Sequence, residues 1–321
     1  MIGLRILLII NLVLIVLGFA LLKYGADFLV NGASSVAKKL GIPSIIIGLT
    51  IVSIGTSMPE LMVSVNAAMG GHSDLSLGNV IGSNIANMLL ILGVCALIHP
   101  LPFQKDTAKV DTPIMLGFTV ILFLFGNFFG GKVITRMEGI VLLLLTASYI
   151  VYNIVKALRS KTESEEEIEE MPVWQSLVYM AVGIVGLKFG GDFVCDNAVA
   201  IATAMGISEK LIGVTIVSFA TSLPELVTSL TATKKGDVDI AIGNIIGSNI
   251  FNICLIIGTS AAISPITYSL AYNYDFIFLF AASILLTVFP FIKNRYEMTR
   301  THGIIYLVLY IIFIVYSIMK G

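Results

Sequence analysis

"GLTIVSIGTSMPE" at residues 48–60 recurs as "GVTIVSFATSLPE" at residues 213–225, with nine of 13 positions identical. Both copies place a proline beside a glutamate inside a long apolar run. Proline breaks helices and a carboxylate is costly among apolar side chains, so this pair is not expected in an ordinary core helix. The repeated phrase therefore indicates a polar site that the chain builds twice.

The duplication extends well beyond this phrase. "GNVIGSNIANMLLILG" at 78–93 matches "GNIIGSNIFNICLIIG" at 243–258 in 11 of 16 positions, again 165 residues apart. The same offset aligns "KYGADF" at 23–28 with "KFGGDF" at 188–193. Convergent apolar composition would not keep Gly, Asn, Ser, Pro and Glu in one gap-free register, so the chain contains an internal duplication.

The composition is that of a membrane protein. Of the 321 residues, 57% are hydrophobic and only 12% are charged, and the mean hydropathy is +0.98, whereas soluble domains carry roughly 25% charged residues. The formal net charge of −1 gives no reason to expect a nucleic acid partner. The three cysteines lack zinc-site or disulfide spacing, and no nucleophile with its base, phosphate-binding loop or dinucleotide fingerprint stands out. We predict no enzyme activity, no ATP-driven pumping and no cofactor.

Apolar stretches of about 20 residues, the length that crosses a bilayer, predict an all-α membrane protein with ten transmembrane helices. The predicted spans lie at 6–30, 43–68, 75–98, 112–130, 136–157, 173–201, 209–232, 238–262, 273–292 and 302–319. An acidic linker at 159–172 separates a first five-helix repeat at 1–158 from a second at 173–321. Five spans is an odd number, so the second repeat enters the membrane in the opposite sense. Transporters with such a 5+5 inverted-topology repeat bind substrate and ions near the midplane.

The basic residues predict the orientation. With the N-terminus outside, 12 Lys and Arg residues fall in cytoplasmic loops and five fall in outside segments. The positive-inside rule then places both termini outside and the acidic linker in the cytoplasm. The first apolar run is too long for a cleaved signal peptide, so we expect it to be retained as a span.

Glu60 and Glu225 lie at the predicted bilayer depth, and the predicted spans that carry them contain no Lys or Arg except Lys210, which lies at the end of its span, 15 residues before Glu225. A charge there costs several kcal/mol, so it persists beside a counter-charge, a cavity or a bound ion. Pro59 and Pro224 lack an amide hydrogen, so each leaves the carbonyl four residues earlier without its helical partner. Irregular backbone is tolerated at this depth where it lines a cavity. Freed carbonyls beside a carboxylate predict a cation site.

The remaining candidate ligands all offer oxygen. Hydroxyls precede each glutamate by about one turn, and further hydroxyls and amides come from the following spans: Thr56, Ser57, Thr221, Ser222, Ser83, Asn87, Ser248 and Asn252. An oxygen-only set with two carboxylates suits a hard cation, and Ca²⁺ takes about 6–8 oxygens in flexible geometry. Neutral hydroxyls and carbonyls also suit Na⁺. We therefore predict Ca²⁺, with Na⁺ as its competitor.

At these segments the sequence resembles the calcium:cation antiporter superfamily, and within it the Na⁺/Ca²⁺ exchangers, including small prokaryotic members. "GTSMPEL" with "GNVIGSNIAN", and "ATSLPEL" with "GNIIGSNIFN", look like the paired alpha repeats of that family. The resemblance implies ten helices in a five-plus-five inverted repeat, with ion sites formed by spans two, three, seven and eight. It also implies a location in a prokaryotic cell membrane.

Carried over by position, the resemblance implies that Glu60 and Glu225 hold a central Ca²⁺ and share it with Na⁺, with oxygens from Thr56 and Thr221. The implied peripheral Na⁺ sites use Ser57, Ser222, Ser83, Ser248 and the backbone carbonyls of Ser53 and Ser218. Asn87 is implied to line the middle of the site. Asn252 is the departure, because several Na⁺-coupled relatives have Asp there. The pocket then has a formal charge of −2, which argues against K⁺ co-transport and leaves the Na⁺ stoichiometry open.

The predicted function is secondary active antiport of Na⁺ for Ca²⁺ by alternating access. A Ca²⁺/H⁺ antiporter of the same fold is the alternative, because buried glutamates can carry protons; the repeated Thr and Ser hydroxyls are more useful for Na⁺. A cation channel fits less well, because an inverted repeat within one chain is typical of transporters. The expected partners are Ca²⁺, Na⁺ or H⁺ and the lipid bilayer. Oligomeric state, affinities and direction of flux stay open.

Overall fold

The computed structural model describes residues 2–159, 171–206, 218–294 and 296–320, and these are almost entirely helical. The helices are α1 (Ile2–Leu40), α2 (Ser44–Thr56), α3 (Met58–Met69), α4 (Ser73–Ile98), α5 (Thr107–Asn127), α6 (Arg136–Arg159), α7 (Val173–Ala204), α8 (Ser218–Thr221), α9 (Leu223–Lys235), α10 (Val238–Ile263), α11 (Tyr272–Ile292) and α12 (Arg300–Lys320). Short π-helical segments interrupt α2, α4 and α10, and another forms the first turn of α5. The prediction of an all-α membrane protein agrees with this architecture.

Eight helices in the described ranges are long and apolar enough to cross a membrane, or nine when the bent pair α2 and α3 counts as one span. The predicted span at 209–232 begins outside the described residues, because 207–217 are not described, and α8 and α9 cover the rest of it. Most of the predicted acidic linker, 160–170, also lies outside them. The ten-helix, five-plus-five arrangement therefore stays a prediction.

Two short antiparallel ribbons join the halves, and the all-α prediction missed them. β1 (Leu101–Pro102) pairs with β4 (Glu297–Met298), and β2 (Val133–Ile134) pairs with β3 (Ile266–Thr267). Each ribbon takes one strand from each half. Strands of two residues are too short to show the alternation by which a sequence reveals a strand.

Backbone conformation next to the ribbons repeats between the halves. Lys132 and Tyr296 are the non-glycine residues with positive φ in the described chain, at 65° and 47°, and each directly precedes a strand. The carbonyl oxygen of Lys132 accepts a hydrogen bond from the backbone amide of Tyr268 at 2.8 Å. The carbonyl oxygen of Tyr296 accepts one from the backbone amide of Phe103 at 2.6 Å. The duplication is thus visible in local geometry as well as in sequence.

The two longest helices, α1 and α7, cross at glycines. Gly18 and Gly25 of α1 face Gly190 and Gly183 of α7, so that a Cβ on Gly25 would lie 2.8 Å from the backbone nitrogen of Leu187. Small residues allow this close approach of backbones in membrane bundles. α1 also continues to Leu40, ten residues beyond the predicted end of its span.

Burial differs sharply between the helices. Within the most apolar window of α10, 94% of residues are buried, and for α4 the share is 72%, whereas α12 has 11%. α4 and α10 carry the repeated "GN" phrases. The duplicated segments α4 and α10 therefore lie at the centre of the molecule, and the outer helices expose many apolar side chains.

Candidate cation-binding site

The helix that carries each glutamate is interrupted just before it. The axes of α2 and α3 bend by 48° at Ser57, which has φ −83° and ψ 7°, and Pro59 is the second residue of α3. Ser222 repeats this with φ −86° and ψ 2° between α8 and α9, followed by Pro224. Proline is tolerated in a first helical turn, where its missing N–H costs nothing. The break therefore begins a new helix at each "PE" pair.

Glu60 and Glu225 consequently sit in the first turns of α3 and α9. The positive end of a helix dipole favours a carboxylate there. Both side chains are fully buried, and they lie close enough for their charges to repel each other. Among the described residues, no Lys or Arg forms an ion pair with either of them. The site thus concentrates uncompensated negative charge in the core.

Several carboxylate oxygens lack partners as well. Neither oxygen of Glu60, nor Oε2 of Glu225, accepts a hydrogen bond within the described part of the chain. The side chains of Thr221 and Ser222 approach Glu60 without meeting hydrogen-bond geometry at its oxygens. Leaving a buried acceptor unsatisfied costs about 1–3 kcal/mol, and more when it is charged. These oxygens are therefore available to a cation.

Hydroxyls from both halves converge on the second glutamate. Ser57 Oγ donates to Glu225 Oε1 at 2.8 Å, and Ser248 Oγ donates to the same oxygen at 3.4 Å. Thr56 Oγ1 lies 3.5 Å from Ser248 Oγ. Residues that are far apart in sequence thus meet at one carboxylate.

The polar side chains of α4 and α10 complete the cluster. Asn87 and Asn252 lie at the start of the π-helical segments Ala86–Leu92 and Asn252–Ile257, a feature frequent at functional sites. Asn252 Nδ2 donates to Asn84 Oδ1 at 3.0 Å. Besides the glutamate oxygens, the predicted site residues contribute further buried polar atoms without a partner in the described residues: Ser83 Oγ, Ser222 Oγ, both polar atoms of Asn87 and Asn252 Oδ1.

Nearly all the sequence-predicted site residues are buried within this region. The buried set comprises Ser53, Thr56, Ser57, Glu60, Ser83, Asn87, Thr221, Ser222, Pro224, Glu225, Ser248 and Asn252. Pro59 is partly exposed. The Ser53 carbonyl accepts a hydrogen bond from Ser57 N at 3.0 Å and a longer one from Thr56 Oγ1 at 3.3 Å. Ser218 begins α8, and its side chain lies outside the described part.

Two central residues, Asn79 and Asn244, are not among the site residues predicted from the sequence. Each is buried, and each bridges the glutamate helix of its own half to a threonine of the other half. The signal was present, because both occupy the second position of the duplicated "GN" phrases. An amide carries no charge, so an asparagine next to a packing glycine gives a weaker sign of a functional site in an apolar run than a glutamate does.

The donor chemistry of the site favours a hard cation. The described residues contain no cluster of three or more His, Cys, Asp or Glu side chains that could hold a metal. What they contain is two carboxylates with hydroxyl, amide and carbonyl oxygens. Such oxygens suit Ca²⁺ and Na⁺, whereas transition metals favour nitrogen and sulfur.

Known proteins similar to this chain are sodium/calcium exchangers and related membrane proteins. A family model described as "Sodium/calcium exchanger protein" matches residues 10–155 and 175–319. The chain is 38% identical to inner membrane protein YrbG of Escherichia coli, and the match covers 85% of this chain and 86% of YrbG. It is also 30% identical to sodium/calcium exchanger MaX1 of Methanosarcina acetivorans, and that match covers 95% of this chain and 98% of MaX1. The solved structure of the sodium-calcium exchanger NCX_Mj matches with a TM-score of 0.84 at 33% identity, over 96% of this chain and 98% of that one.

Proposed function

Since this chain belongs to the sodium/calcium exchanger protein family, we propose that it is a secondary active antiporter that exchanges Na⁺ for Ca²⁺ across the membrane. The family resemblance expected from the two repeated motifs is confirmed. Membership makes the chain an integral membrane protein of a transporter family. The coupling ion and the residues that bind it are our proposal.

One observation carries the proposal: two fully buried glutamates lie within electrostatic range of each other, three of their four carboxylate oxygens accept no hydrogen bond in the described chain, and neither has a basic partner there. A buried charge of this kind costs several kcal/mol unless it is neutralised. One Ca²⁺ or two Na⁺ would balance the two carboxylates. The same pocket therefore suits either ion in turn, which is the requirement for exchange.

In this proposal Glu60, Glu225, Thr56 and Thr221 coordinate Ca²⁺ and are shared with Na⁺. Additional Na⁺ coordination and lining come from Ser57, Ser222, Ser83, Ser248, Asn87, Asn252 and the carbonyls of Ser53 and Ser218. The breaks at Pro59 and Pro224 free the backbone oxygens nearby. Each half contributes one set, as expected for a ten-helix inverted repeat with both termini outside.

Exchange, rather than leak, follows from the electrostatics. The empty pocket would carry two negative charges through a closed, dry state, and this is costly in low dielectric. The loaded pocket is close to neutral. Access therefore alternates readily when an ion is bound, and Na⁺ moving down its gradient drives Ca²⁺ in the opposite direction.

Ca²⁺ uptake into vesicles tests the proposal. Purified protein is reconstituted, the vesicles are loaded with Na⁺ and diluted into Na⁺-free buffer, and radioactive Ca²⁺ uptake is measured beside an arm with a pH gradient alone. We expect the Na⁺ gradient to drive uptake and Glu60→Gln to abolish it. Uptake driven only by the pH gradient would show a Ca²⁺/H⁺ antiporter, and uptake in neither arm would refute Ca²⁺ transport.

A further inference from the structure

We propose that Asn79 and Asn244 are positioning residues that turn the hydroxyl oxygens of Thr221 and Thr56 toward the transported cation. The inference rests on the proposed function and deepens it, because it names residues that act on the ligands without contacting the ion. Both asparagines are buried, with 5% and 0% of their surface exposed. They lie 165 residues apart at equivalent positions of the duplicated phrase.

Asn79 links three groups from two halves. Its amide nitrogen donates to Ser64 Oγ at 3.0 Å and to the backbone carbonyl of Glu60 at 3.3 Å. Its amide oxygen accepts from Thr221 Oγ1 at 3.2 Å. One side chain therefore ties the glutamate helix of the first half to a threonine of the second.

Asn244 makes the same three contacts in the other direction. Its nitrogen donates to Ser229 Oγ at 3.0 Å and to the carbonyl of Glu225 at 3.5 Å. Its oxygen accepts from Thr56 Oγ1 at 3.0 Å. Every partner is related to its counterpart by 165 positions, so the contacts are a property of the repeat and not of one local arrangement.

The chemistry of the partners fixes the direction of these bonds. A backbone carbonyl only accepts, so the amide nitrogen of Asn79 has to face Glu60 and the amide oxygen has to face Thr221. A hydroxyl has one hydrogen and two lone pairs. Once Thr221 donates its hydrogen to Asn79, only lone pairs are left to face the carboxylates. A cation is held by lone pairs, so the threonine is set as a ligand before the ion arrives.

Without the asparagine the hydroxyl hydrogen needs another acceptor. For Thr56 the alternative is the Ser53 carbonyl at 3.3 Å, farther away than the 3.0 Å to Asn244. A glutamate oxygen is the other strong acceptor of the cluster, and a hydrogen directed there would oppose the cation and occupy its ligand. Removing the amide is therefore expected to weaken binding of both Ca²⁺ and Na⁺.

A double-mutant cycle tests whether Asn79 acts through Thr221. The unfolding temperature is measured at increasing Ca²⁺ concentrations for four purified proteins: wild type, Asn79→Ala, Thr221→Ala and the double variant. The Ca²⁺-dependent rise in that temperature gives an apparent Kd for each protein. We expect each single change to raise the apparent Kd about tenfold, and the double variant to bind as Thr221→Ala does. A product of the two losses, about a hundredfold in the double variant, would overturn the proposal.

Asn153→Ala is the matched control, because Asn153 is a fully buried asparagine outside the site whose Nδ2 donates to the Tyr149 carbonyl at 3.0 Å. It is expected to lower the unfolding temperature without changing the Kd for Ca²⁺.

An unchanged Kd in Asn79→Ala would overturn the positioning role and leave the proposed transport intact. No Ca²⁺-dependent shift in wild type would refute the proposed function and this inference with it. If Asn79→Ala does not fold, Asn244→Ala with Thr56→Ala forms the equivalent cycle, judged by the same outcomes.

Discussion

Ser57 of the first half donates a hydrogen bond to Glu225 of the second, with 2.8 Å between Ser57 Oγ and Glu225 Oε1. The equivalent hydroxyl, Ser222, is buried and has no partner in the described chain. The two halves therefore share a sequence pattern but differ in the contacts they make.

This difference predicts unequal effects of removing the two hydroxyls. Ser57→Ala deletes a buried bond to a charged group, which typically contributes about 1.5–3 kcal/mol. Ser222→Ala deletes a hydroxyl with no bond to lose. Thermal unfolding of the purified protein in chelator, without Na⁺, is expected to show a clear drop in Tm for Ser57→Ala and little change for Ser222→Ala. Equal drops would contradict the asymmetry of the structure.

A second prediction concerns the charge at position 252, where this chain has Asn252. Its amide nitrogen donates to Asn84 Oδ1 at 3.0 Å, and Asn84 cannot turn its own amide without losing the bond that its Nδ2 donates to Asn249 O at 3.2 Å. In Asn252→Asp an ionised carboxylate would face that oxygen and add a third negative charge. We expect a lower Tm without ions and a larger stabilisation by Ca²⁺ or Na⁺ than in wild type.

Asn252→Ala separates charge from hydrogen bonding in that experiment. It loses the bond to Asn84 but adds no charge, so its Tm in chelator should fall while its ion-dependent stabilisation stays at or below the wild-type value. An Asp variant whose response to ions matched that of the Ala variant would show that the added charge lies outside the cation site.

Much of the site was predictable because charge in an apolar run is conspicuous. Glu60 and Glu225 stand out for this reason, and the adjacent prolines predict interruptions at the positions where α3 and α9 begin. The contacts between halves were not predictable, because a fixed offset relates equivalent residues and does not show which non-equivalent ones meet. The bond from Ser57 to Glu225 and the bridge from Asn79 to Thr221 are of this kind.

The fold was predictable to a similar degree. Span lengths follow from apolar runs, but α1 continues to Leu40 through Ser34, Ser35, Lys38 and Lys39, a polar stretch that a hydropathy criterion excludes. That stretch is helical because tertiary contacts satisfy its polar groups: Ser34 Oγ donates to Asp237 at 2.8 Å, and Ser35 Oγ accepts from Ser176 at 2.9 Å. Such partners become known only when the chain is folded.

The buried pair of Asp111 and Lys156 predicts a large loss of stability on mutation. Nζ and Oδ2 are 3.4 Å apart, with side-chain exposures of 13% for Lys156 and 0% for Asp111, and Tyr149 also donates to Asp111 at 3.3 Å. Removing one partner of a buried pair typically costs about 3–5 kcal/mol, because the other charge is left uncompensated. Asp111→Ala is therefore expected to lower the Tm strongly.

Asp192→Ala is the matched control, because Asp192 pairs with Lys188 at exposures of 40% and 43%. Removing one partner of this exposed pair leaves no buried charge behind, so the expected loss of stability is small. The double variant Asp111→Leu with Lys156→Met should recover most of the loss, since it leaves no buried charge. Similar Tm values for Asp111→Ala and Asp192→Ala would contradict the burial of the first pair.

The crossing of α1 and α7 gives the last prediction. A Cβ on Gly25 would lie 2.8 Å from Leu187 N and 2.9 Å from the Gly183 carbonyl oxygen. These are backbone atoms, which cannot rotate away, so Gly25→Ala would push the helices apart at a typical overpacking cost of about 1–3 kcal/mol. Gly117, within α5, has nothing within 4 Å of its Cβ position, and there alanine is favoured over glycine by about 0.5–1 kcal/mol. Unfolding in detergent should therefore show a lower Tm for Gly25→Ala and an equal or higher Tm for Gly117→Ala. A Gly25→Ala variant as stable as wild type would mean that the two helices do not approach this closely in the isolated protein.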